Sequence, residues 1–483
     1  MAAVNARTSR ALAALLVAGA FLAACGDATA ETAQPTASAS ETPAGPMPII
    51  IDTDLDLSDA AALLALVLDP RVEVRAITIT TAGTGVTKCG SARKVMGYLL
   101  DEIGRDEIPF ACGGADPGGD ALVFPAEWRT PADSGWGLDI PPRPETGTAE
   151  TAVDLLVRTV DQASAPITLV ALGPWTNLAA AAATDASFLA GVARIHAMAG
   201  SVDAPGNVFV DDITADDRLE WNVVLDPSAF VAILGSDVPI TLVPLDATDD
   251  VPATEALKSR LGESGAGGAN LVYELWLRVP GRIGEGQQLW DELAALGVME
   301  PELAGWEDLT LATDASGRLT RSDAGRKIRV AVSADAAAVE NALLEALERG
   351  GARATPFALQ GSIAATWDGE SCAAEAPSNL AAGMADLQFT NTSGAVAGVT
   401  IIGLRDPHTW ADLEEFLRTF DPTTAQEPPD WVVVAGSASD DAGEQLPVHG
   451  TAIMKAGTYG PVCLFGDWPD IGISAGDSFE VRP

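Results

Sequence analysis

Residues 48–68 read PIIIDTDLDLSDAAALLALVL. Pro48 to Asp52 form a short, continuous apolar run, the pattern of a strand buried on both faces. Asp59 to Leu68 then repeat apolar residues at helical spacing. Between the two lie Asp52, Asp54, Asp56 and Asp59, four carboxylates within eight residues, where strand gives way to helix. Carboxylates so crowded repel one another, and a hard divalent cation with oxygen ligands relieves the repulsion. Aspartates also suit a helix N-terminus, where they cap orphan N–H groups and meet the positive end of the dipole. Spacing alone leaves both readings open.

The alternation continues on either side of the first helix. Strand-like runs recur at VEVRAITITT (72–81), IPFAC (108–112), ITLVAL (167–172), RIHAMAG (194–200) and PITLVPL (239–245). Helical stretches stand at 89–103, 149–163 and 176–183, and 335–348 forms a closing helix with Asp335 as its N-cap. Short apolar runs between helices specify an α/β fold: a mostly parallel open sheet, covered on both faces, with ligands at the C-terminal strand ends. After Gly350 the character changes to short β-type runs, interrupted by the helical TWADLEEFLRTF (409–420). Residues 355–483 therefore read as a smaller all-β sandwich following a domain at 47–350.

The N-terminus reads as an export signal. Arg7 and Arg10 precede an apolar run, Ala11 to Ala24, that is too short for a stable bilayer anchor. It ends in Leu22-Ala23-Ala24-Cys25-Gly26, which resembles a bacterial lipobox with Cys25 as the lipidated residue. The expectation is a signal peptide at 1–24, a lipidated Cys25 with a disordered tether to residue 46, and extracytoplasmic anchoring by lipid alone. Cys89, Cys112, Cys372 and Cys463 are an even set in an oxidising compartment; sequence-local pairing, 89 with 112 and 372 with 463, keeps each bridge within one domain. Against 68 Asp and Glu stand 28 Lys and Arg, a net charge of -40 that repels phosphate backbones and argues against nucleic-acid binding. Self-association is compatible with the sequence.

The 47–349 region resembles the nucleoside hydrolase family in five ordered motifs. IIIDTDLDLSDAAALLAL is similar to the family's Asp-x-Asp-Pro-Gly-x-Asp-Asp and the apolar helix that follows it. ITLVALGPWTNLAAAA (167–182), MAGSVDAPGNV (198–208), EWNVVLDPSAF (220–230) and Trp290-Asp291 resemble its later elements. The resemblance implies calcium-dependent hydrolysis of the N-glycosidic bond of a small nucleoside substrate. It places Ca2+ on Asp54, Asp59, the Leu172 carbonyl and Asp291, with Asp54 also the general base. Asn222 would hold the 3′-hydroxyl, Glu220 and Asn207 the 5′-hydroxyl, and Ser58, Thr84 and Asp291 would also face the substrate.

Four changes depart from the family pattern. Leu55-Asp56 replaces Pro-Gly, Ser58 replaces the aspartate that accepts the 2′-hydroxyl, Thr84 stands for Asn, and Trp290 for a histidine near the leaving base. Replacing one charge-assisted hydrogen bond costs about 1.5–3 kcal/mol, and Asp56 is placed to compensate. Of the three histidines, His196 lies in a core strand, where a satisfied interior role is expected. The acidic VFVDDITADD (208–217) reads as a solvated loop, with a lid over the pocket as the alternative. MADLQFTNTSGAVAGVTIIGL (384–404) and Gly457-Thr458-Tyr459 with Cys463 resemble a cupredoxin sandwich, but one without the histidines and methionine of a copper site. Competing with the enzyme are a non-catalytic calcium-dependent nucleoside- or ribose-binding lipoprotein and an envelope scaffold.

Overall fold

The computed structural model describes residues 45–483 apart from 120, 143–145, 211–212, 280–282, 284–285, 352–358, 421–428, 441–447 and 467–470. The signal segment, Cys25 and most of the expected tether lie outside the described residues.

The first part of the chain builds a nine-stranded sheet. Its strands are β1 (Met47–Thr53), β2 (Val72–Ile79), β3 (Phe110–Cys112), β4 (Ile167–Ala171), β5 (Val192–Met198), β6 (Ile240–Val243), β7 (Ala304–Thr313), β8 (Leu319–Arg321) and β9 (Arg326–Ala334). They lie in the order β3-β2-β1-β4-β5-β6-β9-β7-β8. All pairings from β3 to β9 are parallel, while β7 pairs antiparallel with both β9 and β8. The central β1 shows why its run is uninterrupted. Ile49 and Ile51 face the core beneath the helix Leu57–Leu68, and Ile50 faces the core on the opposite side. Successive residues of a strand point to opposite faces, so a strand covered twice needs apolar residues at every position. The antiparallel ribbon β7–β9 had no counterpart in the reading of the sequence; β7 alternates buried Leu309 and Leu311 with exposed neighbours.

Residues 359–483 form two further sheets. One has the order β11-β10-β12-β15, from β10 (Leu359–Trp367), β11 (Cys372–Glu375), β12 (Gly383–Asn391) and β15 (Val448–Met454). The other has the order β14-β13-β16-β17, from β13 (Ala397–Leu404), β14 (Val432–Asp440), β16 (Gly457–Phe465) and β17 (Gly472–Ala475), with β18 (Phe479–Val481) also on β16. Their inner faces share one apolar core, centred on Phe389, Ile401 and Cys463. Both sequence-local disulfides form. Cys89–Cys112 ties the helix Cys89–Glu102 to β3, and Cys372–Cys463 ties β11 to β16 across the two sheets.

The sandwich is pinned to the first part by charge. Asp139 receives Arg405, which also donates to the Ile140 carbonyl at 2.9 Å, and Lys455 at 2.9 Å. Arg278 donates to the Val434 carbonyl at 3.0 Å while pairing with Glu274 at 2.8 Å.

Candidate active site

At the C-terminal end of β1 the chain makes a turn that presents Asp54. Leu55 adopts a positive φ of 61°, unusual for a residue with a Cβ, and is fully buried. The Leu55 N–H donates to Thr53 Oγ1 at 2.9 Å, and Thr53 Oγ1 donates in turn to Asp59 Oδ1. Asp54 accepts the Asp56 N–H on Oδ1 at 3.1 Å and the Thr84 N–H on Oδ2 at 2.9 Å. Two glycines make room for it. A Cβ on Gly83 would overlap the Asp54 carboxylate, and one on Gly173 would lie 2.9 Å from the Asp54 nitrogen. Gly83→Ala is therefore expected to displace Asp54 and lower kcat by about 10²-fold, the effect of a misplacement near 1 Å. Near-native kcat in a variant with an unaltered circular dichroism spectrum would refute this.

Arg129 was not singled out from the sequence, yet it secures the loop bearing Thr84. Its guanidinium donates to the carbonyls of Gly85 at 3.0 Å and of Thr81 and Val86 at 2.6 Å. It also supplies positive charge near Asp54 and Asp56.

Asp54, Asp59 and Asp291 are all buried. Burial pushes Asp54 well above the usual carboxylate range, and Asp59 and Asp56 add to the rise. Asp59 is raised by burial and then by Asp291, and Asp291 by burial, Glu292 and Asp54. Asp291 Oδ1 is buried without a hydrogen-bond partner. Among the described residues no three His, Cys, Asp or Glu side chains are drawn together as a ready-made metal cage. Beneath this cluster Asp52 accepts from Thr78 Oγ1 at 2.6 Å and Asn177 Nδ2 at 2.9 Å, and burial raises it to about 7.

Above the cluster opens a cleft of about 590 Å³. Its polar lining includes Asp56, Ser58, Asp59, Thr84, Leu172, Asn207, Glu220, Asn222 and Asp291. Every site residue singled out in the sequence thus borders one cavity, except Asp54, which is not among its lining residues, and Cys25, which lies outside the described residues. Asn222 Nδ2 donates to the Leu172 carbonyl at 2.7 Å, holding it at the cleft. Glu220 accepts the backbone N–H groups of Gly200, Asn222 and Val223, yet burial lifts it to about 7. Asn207 Oδ1 accepts the Trp221 N–H at 3.2 Å.

The lining also includes five aromatic residues: Phe124, Trp128, Phe209, Trp221 and Trp290. Phe124 packs edge-on against Trp221, with centroids 4.7 Å apart. Phe209 and Trp128 are 66% and 51% exposed, so their ring faces remain available to a ligand. Phe209 belongs to the acidic stretch expected as a solvated loop; most of its described residues are at least partly exposed, but Val208 is buried and Phe209 forms cleft wall. His196 is interior as expected but not fully satisfied, since its Nε2 has no hydrogen-bond partner among the described residues. Burial lowers it to about 3, so it stays neutral.

The buried carboxyls set a pH dependence. Asp52 and Glu220 titrate near 7 in the fold and burial raises Glu292 to about 8, whereas the unfolded chain ionises such groups near pH 4. Between those values the folded state holds more protons. The cation-free protein is thus expected to lose stability as pH rises from about 4 to about 8. A melting temperature that climbs from pH 5 to pH 8 would contradict this.

An open parallel sheet with a carboxylate-floored, aromatic-walled cleft at its strand ends defines an α/β enzyme acting on a small molecule. Residues 49–341 match the inosine-uridine preferring nucleoside hydrolase family, and the chain belongs to that family. The pyrimidine-specific ribonucleoside hydrolase RihA of Salmonella agona is 31% identical over 232 residues, which is 47% of this chain and 70% of the relative. Its counterpart in Photobacterium profundum is 29% identical over 265 residues, covering 53% and 81%. In structure, the inosine-uridine preferring nucleoside hydrolase of Bacillus anthracis aligns with a TM-score of 0.55 at 21% identity, covering 63% of this chain and 99% of that one. The purine-preferring ribonucleoside hydrolase of Gardnerella vaginalis gives 0.54 at 21%, covering 62% and 98%. These structural likenesses speak to the fold.

Proposed function

We propose that the protein hydrolyses the N-glycosidic bond of ribonucleosides to free base and ribose, using calcium, at the outer face of a bacterial membrane. The observation that carries this reading is one cleft with aspartates on its floor and aromatic rings on its wall. The donor types suit a hard cation: buried carboxylates that raise one another's pKa, a main-chain carbonyl, and an Asp291 oxygen with no protein partner. Asp54, Asp59, Asp291 and the Leu172 carbonyl would hold it. A bound divalent cation lowers the pKa of water and orients it toward the sugar.

The chain's own residues do the rest. Asp54 Oδ takes up the proton from the attacking water. Asn222, Glu220 and Asn207 engage the sugar hydroxyls, while Ser58 and Thr84 flank them. The aromatic wall stacks the base and excludes water, at about 0.5–1.5 kcal/mol per ring contact beyond burial. Buried carboxylates beneath the sugar favour the positive charge that develops as the C–N bond breaks. The test is incubation of the purified protein with calcium and a panel of purine and pyrimidine nucleosides. Release of reducing sugar is expected, and none from any nucleoside overturns the reading.

Membrane anchoring through Cys25 is part of the proposal, supported by the lipobox-like residues and by two disulfides that suit an oxidising compartment. Cys25→Ser is expected to move the protein from the membrane to the soluble fraction; retention on the membrane argues against the lipid anchor. The sandwich is proposed as cupredoxin-like and copper-free, because Cys463 is committed to Cys372 and offers no thiolate.

A further inference from the structure

Ser58 borders the cleft beside Asp59 and Asp291. Its Oγ donates to Glu292 Oε2 at 2.8 Å and accepts the Asp291 backbone N–H at 3.2 Å. A hydroxyl has one proton and two lone pairs. With the proton directed at Glu292 and one lone pair at Asp291, the remaining lone pair is left for the cleft.

Glu292 is 1% exposed on the helix Trp290–Gly297 and is separated from Ser58 by 234 positions in sequence. The residues after it, Leu293 to Leu296, are apolar and buried, so packing alone asks for another apolar side chain here. A carboxyl group in such a place is costly unless it is hydrogen-bonded, and its side-chain partner among the described residues is the cleft hydroxyl of Ser58.

We infer that Glu292 is a positioning residue that turns the Ser58 proton away from the cleft and makes Ser58 a dedicated acceptor for the ribose 2′-hydroxyl. The carboxyl group absent at position 58 is in effect supplied by the helix that carries Asp291. This rests on reading the cleft as a ribonucleoside site. A serine with a free rotor can donate or accept and so discriminates weakly. Once fixed as an acceptor it favours an O–H group, and a 2′-deoxy sugar leaves it desolvated and unpaired.

The experiment compares the binding of D-ribose and 2-deoxy-D-ribose in calcium, followed by tryptophan fluorescence and calorimetry. The proteins are wild type, Glu292→Leu, Ser58→Ala and the double variant; the melting temperature with and without calcium checks that each folds. Wild type is expected to prefer ribose by about tenfold or more, the effect of leaving one buried acceptor unpaired. Each single variant should cut that preference to about twofold, and the double variant should lose no more than either single, as coupled residues do. Glu292→Asp, with a carboxylate one methylene shorter, should restore part of the preference. A Glu292→Leu protein that keeps the full preference overturns the inference, as does strict additivity in the double variant. Wild type that hydrolyses nucleosides but binds the two sugars equally overturns it while leaving the proposed function standing. Wild type that neither binds ribose nor hydrolyses any nucleoside overturns both.

Discussion

Asp54→Asn is expected to lower kcat by about 10²–10⁴-fold, the usual contribution of a positioned general base. Asparagine matches aspartate in size, so the glycines at 83 and 173 still leave room for it. What it loses is the ability to hold a proton. One of its two terminal atoms becomes an N–H donor facing either the Asp56 or the Thr84 backbone N–H, where the carboxylate accepted from both. That conflict costs about 1–3 kcal/mol, offset by removal of a carboxyl that burial already disfavours in its charged form. The variant should therefore fold and turn over slowly, and it should need more calcium than wild type, because Asp54 is also one of the proposed calcium ligands. A kcat within tenfold of wild type would show that Asp54 is not the base.

Chelation of divalent cations should have the second large effect. Activity is expected to fall to background in a chelator and to return with added calcium, because Asp59 and Asp291 would be left without the charge that reconciles them. The same treatment should lower the melting temperature. A ligand present at a hundredfold excess over its Kd stabilises the fold by about 2.7 kcal/mol. The calcium-dependent gain should grow as pH rises, since the raised carboxyls must release protons to bind the cation. Full activity and an unchanged melting curve in chelator would remove the cation from the proposal.

The carboxylate cluster behind these two expectations was legible in residues 52–59 because a strand end and helix start are local in sequence, and its calcium and general-base roles followed from the resemblance to the family. The six parallel strands β1 to β6 were legible for a related reason: each is a continuous apolar run set off by helices. The ribbon β7–β9 was not, since one face of it is solvated and its pattern is broken by turns at 314–318 and 322–325. The site divides in the same way. Asp54, Asp59, Asn222 and Asp291 stand in motifs whose order along the chain carries meaning. Arg129 and Glu292 do not. Arg129 acts on carbonyls more than 40 positions away, and Glu292 meets Ser58 across 234. No local pattern marks a residue whose partner is supplied by the fold. The Trp290 position shows the converse: the exchange for histidine was plain in sequence, but only the fold shows it joining an aromatic wall with Phe124, Trp128, Phe209 and Trp221.

The contact at Asp139 bears on how the protein can be divided. Both of its cationic partners, Arg405 and Lys455, belong to the sandwich, while Asp139 itself belongs to the first part of the chain. A polypeptide ended after Glu348 would keep the whole cleft yet lose both countercharges, leaving a carboxylate at a newly bared apolar seam that includes Tyr98 and Ile140. Trimming the protein to its family domain is therefore a change of surface chemistry as well as of length, and Asp139→Asn is the substitution that should accompany the cut.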